Sequence, residues 1–282
     1  MKSKKQIVPS NSDIIVSRIK KGLNTLDELL KLIESMKNTF FADASLELEL
    51  LLSNGFPLDI IDDKVILKTK ENQIKDQVFC IVDIETNGSN VNKGQVIEIG
   101  AVKLKNGEII DSYESLVYAK DVPPYIQEVT KITPSMLKDA PVLKTVLEEF
   151  KIFLEDDVFV AHDIKFDYRF ISESFKKYNL GELHNRKLCT IDLSKRTIEA
   201  QRYGLDFLKD LLHIDIDTQH RAYSDALSTT YILKESISKL PENISTAEDL
   251  ILFSKSDNII NNKNNQTKQN RQKKQNITQK ED

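Results

Sequence analysis

The stretch that most constrains this chain runs from Val78 to Thr86 and reads Val-Phe-Cys-Ile-Val-Asp-Ile-Glu-Thr. Apolar residues are unbroken from Val78 to Val82 and resume at Ile84. A run of this kind, rich in β-branched residues, reads as a central strand buried on both faces. Side chains two apart on a strand leave the same face, so Asp83 and Glu85 point the same way. Two carboxylates side by side at the end of a buried strand repel each other and lose hydration. A hard divalent cation such as Mg²⁺ or Mn²⁺ compensates for both costs. The plainer alternative is that the two acids cap the strand where it reaches water.

The chain has 282 residues, 40% of them hydrophobic, enough for one sizeable domain and a smaller one. With only Cys80 and Cys189, a cysteine-rich zinc site is excluded, and both thiols read as small hydrophobes in a reducing compartment. The basic N-terminus leads to no apolar h-region, and no apolar run approaches ~18 residues, so a cytoplasmic protein without membrane attachment is expected.

Residues 1–75 form a first unit. Leu26, Leu29, Leu30, Ile33 and Met36 keep helical spacing, and Leu46 to Leu52 fit a second helix that Asn54-Gly55 stops. Residues 58–61 and 65–67 form two short strands around a turn at Asp62-Asp63. Helices followed by a β-hairpin give a small α+β domain resembling a winged helix. No basic face stands out in it. Lys70 to Gln77 reads as a linker.

Residues 76–242 then form the main domain. Strands are expected at 78–86, 96–102, 109–118, 158–161 and 187–191, with helices at 142–154, 164–178, 205–212 and 222–238. A hairpin-rich start followed by alternating strands and helices gives an α/β mixed sheet flanked by helices. From residue 255 onward Asn, Gln and Lys dominate. Seven basic residues against three acidic give that tail about +4, while the whole chain carries −4. Residues 255–282 are expected to be disordered.

Two further places match the acidic strand. His162-Asp163-Ile164-Lys165-Phe166-Asp167 follows the fourth strand and opens a helix, and His220-Arg221-Ala222-Tyr223-Ser224-Asp225 opens the last long helix. Loops at strand ends and helix starts are where sheet enzymes keep their reactive groups. Taken singly, Asp167 and Asp225 are ordinary first-turn helix acids, and His220 an ordinary loop hydrogen-bonder.

Together, Asp83-Ile84-Glu85-Thr86, Ala161-His162-Asp163 with Phe166-Asp167, and His220-Arg221-Ala222 with Asp225-Ala226 resemble the three motifs of the DEDDh exonuclease family, which includes DnaQ-like proofreading subunits. The likeness covers residues 78–240, with supporting segments at Ile97 to Gly100, Ile132 to Leu137, and Tyr203 to Leu208. It implies a ribonuclease-H-like five-stranded sheet and a 3′→5′ exonuclease using two divalent cations, Mg²⁺ or Mn²⁺. Asp83, Glu85, Asp167 and Asp225 would hold the metals, and His220 would be the general base, a role to which an imidazole is suited near neutrality. Thr86, His162, Asp163 and Phe166 would lie along the substrate. Asp163 departs from the family's usual Asn and adds a negative charge near a phosphate path.

If the likeness extends to partners, they are DNA 3′ ends and the alpha subunit of a bacterial DNA polymerase III, in proofreading or repair. RNA 3′-end trimming by the same residues, or a non-catalytic docking scaffold, are the alternatives. Asp249-Leu250-Ile251-Leu252-Phe253, within residues 243–254, resembles the short peptide by which replication proteins bind the sliding clamp. The competing and favoured reading is the apolar side of a last helix capped by Ser245 or Thr246.

Overall fold

The structure, a computed structural model, describes residues 10–216 and 220–260. The tail expected to be disordered lies, beyond residue 260, outside the described residues. The first unit comprises α1 (Asn11–Ile19), α2 (Leu26–Glu34), α3 (Ala44–Ser53) and the antiparallel hairpin β1 (Leu58–Ile61) and β2 (Lys64–Leu67). Asp62 and Asp63 turn the hairpin with φ of 49° and 65°, a region in which short polar side chains are tolerated. Capping boxes at Ser10 with Asp13 and at Thr25 with Glu28 open α1 and α2. Periodicity missed α1; its capping box was the local signal that could have found it. Ile15, Leu29, Ile33, Leu51, Phe56 and Leu67 form this unit's own core.

The stretch read as a linker is structured. α4 (Lys68–Glu71) follows β2 directly, Gln73 bridges Thr246, and the Ile74 N–H donates to the Ser245 carbonyl at 2.9 Å. A polar composition alone did not reveal that these backbone groups find partners more than 170 residues away.

The main domain continues with β3 (Phe79–Thr86), β4 (Val96–Lys105), β5 (Glu108–Leu116), α5 (Pro124–Thr130), α6 (Pro134–Leu137), α7 (Leu143–Leu154), β6 (Val158–Ala161), α8 (Ile164–Lys177), β7 (Lys187–Cys189), α9 (Thr190–Thr197), α10 (Leu205–Leu212), α11 (Ala222–Ser238) and α12 (Ala247–Phe253). Its sheet has the order β5-β4-β3-β6-β7, with β3, β4 and β5 antiparallel in turn and β6 and β7 parallel to β3. The fifth strand is shorter than expected because Thr190 already starts α9.

Alternation along β3 divides the core. Cys80, Val82 and Ile84 pack among residues of α7 and α8, while Phe79 and Ile81 face α11 and α12. Asp83 and Glu85 continue this second face, so the strand's period aims both carboxylates at the start of α11. That helix comes unusually close to β4. A Cβ on Gly100 would overlap the backbone of Ala222 and Tyr223. Gly100→Ala is therefore expected to cost about 3 kcal/mol or more, read as a lower urea midpoint, because neither backbone can yield without moving the site.

The first unit sits where β6 and β7 begin. The His184 N–H donates to the Asn54 carbonyl at 2.8 Å, Lys151 Nζ donates to Asn54 Oδ1 at 2.7 Å, and Lys68 pairs with Asp156 at 2.6 Å. Because β3 runs parallel to β6, Asp83 and Glu85 lie toward the other end of the sheet. α12 closes the same core: Leu250 and Ile251 are fully buried and Phe253 nearly so, with Thr246 as N-cap. This is the capped-helix reading. Binding of this segment to a clamp as an extended peptide would require Leu250, Ile251 and Phe253 to leave the core. No described helix is long and apolar enough to cross a membrane.

Candidate active site

Three elements converge at the end of β3. Asp83 and Glu85 come from the strand, Asp167 from the first turn of α8 and Asp225 from the first turn of α11. One carboxylate oxygen from each of Asp83, Glu85 and Asp225 lies within 4.8 Å of the others. Asp167 falls outside this triad but is close enough to Asp83 for its charge to act there. The charge of Asp167 also acts on Glu85, so all four acids share one repulsive neighbourhood.

Burial and mutual repulsion dominate the electrostatics. Burial first, then the charges of Asp167, Glu85 and Asp225, push the Asp83 carboxyl well above its usual range. Burial, then Asp225 and Glu98, raise Glu85 to about 8, with Arg221 opposing. Burial raises Asp167 to about 7 against hydrogen bonds from backbone N–H groups, and burial also raises Asp225. Asp225 Oδ1 is buried with no hydrogen-bond partner, while Oδ2 accepts from the His220 N–H at 3.2 Å. An orphaned buried carboxylate oxygen among all-oxygen donors is the chemistry that a hard divalent cation satisfies, so these residues fit such an ion.

His220, just ahead of α11, has a left-handed conformation, φ 57°, and its N–H makes that bond to Asp225. A non-glycine residue pays for such a conformation, and it persists where neighbours over-determine it. Arg221 next to it donates Nε and Nη2 to Glu98 Oε1 at 2.9 and 2.6 Å, and the Ala222 N–H donates to Glu98 Oε2 at 2.9 Å. Glu98 is fully buried. Sequence reasoning gave it no role, because the partners are 123 positions apart. It anchors the N-terminus of α11, and with it Asp225 and His220, to the sheet. Glu98→Gln is expected to lower stability by about 3 kcal/mol in urea denaturation, since it removes the close carboxylate partner of the guanidinium and leaves Glu114, at 3.8 Å, as its ion-pair partner.

The remaining expected residues are placed differently. His162 Nδ1 meets Thr190 Oγ1 and Nε2 meets the Tyr203 carbonyl, both at 2.9 Å, so both ring nitrogens are engaged within the fold. Burial lowers its pKa to about 4. The ring ties β6 to the start of α9 and to the loop before α10, and neither nitrogen is left for a ligand. Thr86 donates its hydroxyl to the Gly88 carbonyl at 3.0 Å. Asp163 is exposed at the start of α8, where its charge acts on Asp167 and His162. Phe166 is half-buried against Phe170, with ring centroids 5.7 Å apart.

A five-stranded mixed sheet of this order, flanked by helices and carrying acids at the end of its central strand, defines the ribonuclease-H-like class. Solved structures agree. The fold matches Exonuclease X in complex with 5′ overhanging duplex DNA with a TM-score of 0.50 at 24% identity, over 62% of this chain and 99% of that one. It matches the zinc-bound E. coli Exonuclease I complex with single-stranded DNA with a TM-score of 0.54 at 14% identity, over 59% and 42%. Residues 80–233, more than half of the chain, match the family model described as Exonuclease, and the protein belongs to that family. Among curated relatives, DNA polymerase III PolC-type proteins of Staphylococcus haemolyticus and Staphylococcus aureus are 35% identical over 188 residues. That match covers 65% of this chain but only 13% of those proteins' length.

Proposed function

We propose that this protein is a metal-dependent 3′→5′ exonuclease that releases nucleotides from DNA 3′ ends, in proofreading or repair in the cytoplasm. The observation that carries the reading is the convergence of Asp83, Glu85 and Asp225 within 4.8 Å, with Asp167 beside Asp83, in a buried site that raises every one of these carboxyls. Asp83, Glu85, Asp167 and Asp225 would hold two divalent cations, Mg²⁺ or Mn²⁺. The cations, when bound, would supply activation of the attacking water and stabilisation of the leaving 3′-oxygen.

The chain's own residues do the rest. His220, whose N–H is bonded to Asp225, would accept the proton from the attacking water. Glu98 and Arg221 keep α11 from drifting, so His220 and Asp225 stay in register with β3. The turn from Thr86 to Gly88 borders the site, beside the terminal nucleotide. Asn87 steadies this turn by accepting from the Gln95 N–H at 2.7 Å and donating to the Asp121 carbonyl at 3.0 Å.

DNA is favoured over RNA because the relatives at 35% identity are DNA polymerases by name. The same match, to a small part of a polymerase chain, supports a role beside a polymerase such as the DNA polymerase III alpha subunit. The test uses 5′-labelled single-stranded DNA and RNA of one sequence with Mg²⁺ or Mn²⁺. Stepwise shortening of DNA from the 3′ end is the expected result. A strong preference for RNA would reassign the substrate, and no metal-dependent shortening of either would leave a non-catalytic scaffold.

A further inference from the structure

Tyr168 directly follows Asp167 on α8 and is buried. Its ring packs edge-on against Phe159 of β6, with centroids 5.2 Å apart, and the Lys187 ammonium at the start of β7 lies 4.4 Å from the ring centroid. Its hydroxyl donates to the Leu183 carbonyl at 2.7 Å, with the Asn185 carbonyl at 3.3 Å. One turn further along α8, Ser172 Oγ accepts from the Leu183 N–H at 3.2 Å. Two side chains of α8 therefore hold the segment 183–186 that leads into β7. The first unit is seated on the same segment. His184 Nδ1 meets Ser12 Oγ of α1 at 2.7 Å, and the His184 N–H donates to the Asn54 carbonyl at 2.8 Å. The fit is close: a Cβ on Gly55 would overlap the Asn185 side chain, and one on Gly181 would overlap that of Asn54. At the other end of this series of contacts, a backbone hydrogen bond from Ile84 of β3 reaches the Asp167 carboxylate.

We propose that segment 183–186 is the joint through which the first unit steadies α8, and that Tyr168 is a positioning residue that keeps Asp167 against β3. Tyr168 touches neither substrate nor metal in this role. Without its hydroxyl a buried carbonyl loses its partner, a cost that α8 relieves only by shifting, and Asp167 shifts with it. The proposal rests on the exonuclease reading for its kinetic part and on the acidic site alone for its metal part.

The test compares wild type with three variants. Tyr168→Phe keeps the ring on Phe159, Ser12→Ala loosens the first unit, and Ile33→Val trims that unit's own core without touching the joint. Tyr168→Phe and Ile33→Val are expected to lower the urea midpoint by similar amounts. With saturating Mn²⁺, Tyr168→Phe should lower kcat about fivefold with KM for single-stranded DNA unchanged, because a metal ligand is displaced and strand binding is not. Without DNA, the Mn²⁺ concentration giving half of the melting-temperature shift should rise about threefold. Ile33→Val should match wild type in both assays. Ser12→Ala should move both in the direction of Tyr168→Phe, and the two together should be no worse than Tyr168→Phe alone, since both act through one joint. A kcat within twofold of wild type, or an unchanged Mn²⁺ midpoint, in Tyr168→Phe overturns the proposal. Equal changes in Ile33→Val would report general destabilisation and overturn it too, as would effects that multiply in the double variant. If Tyr168→Phe does not fold, Ser172→Ala is read in the same two assays. Absence of hydrolysis in wild type would sink the exonuclease reading, while the Mn²⁺ midpoints would still decide the place of Tyr168.

Discussion

Asp83→Asn should abolish metal-dependent shortening of DNA, lowering kcat by at least about 10³-fold while the chain stays folded. The amide keeps the shape of the carboxylate but removes the charge on which Asp167, Glu85 and Asp225 all act. The remaining acids cannot take over, because β3, α8 and α11 fix their positions. His220→Ala should cost about 10²–10⁴-fold through loss of the proton acceptor, with metal binding retained. The contrast is diagnostic: Mn²⁺ should shift the melting temperature of His220→Ala as it shifts that of wild type, and should shift Asp83→Asn far less. His162→Ala should act on stability more than on chemistry, since its ring nitrogens face Thr190 and Tyr203. Single-turnover rates alongside metal-titrated melting curves check all three variants. Full activity in Asp83→Asn would remove the basis of the proposed mechanism.

The second large effect concerns the protein stripped of metal by chelation. Glu85 and Asp167 have folded-state values of about 8 and about 7, raised from 4.5 and 3.8. A carboxyl whose pKa is raised by folding binds more protons folded than unfolded, so stability falls as pH rises. The contribution is fully present below the unfolded values, near pH 4, and is lost as pH climbs through about 7 and 8. The chelated protein should therefore melt at least about 5 °C lower at pH 8.5 than at pH 5.5. Added Mn²⁺ should restore the difference, and its effect should grow with pH because binding displaces the protons these carboxyls hold. Asp83→Asn should flatten the pH dependence of the chelated protein and raise its melting temperature at pH 8.5, since one of the repelling charges is gone. A melting temperature of the chelated wild type that is constant or rises with pH would contradict the burial of these acids.

What lay in the sequence alone was whatever obeys a short period. The apolar run of β3 marked the central strand, its alternation put Asp83 and Glu85 on one face, and helical spacing gave α10 and α11 their limits and α7 and α8 theirs to within a residue. A cap at Ser245 or Thr246 marked α12 as the favoured reading of its stretch, and the cap is Thr246. These features rest on geometry that repeats within a few residues, which local order records. Tertiary structure alone decided which groups meet. It joined Arg221 to Glu98, turned both nitrogens of His162 inward, set Asp167 apart from the triad and buried the apolar side of α12. It also seated Asn54 against Lys151 and His184. The partners of these contacts are mostly tens to more than a hundred positions apart. A contact of that kind leaves no periodic trace, because it depends on where the whole sheet and its helices place two distant backbones.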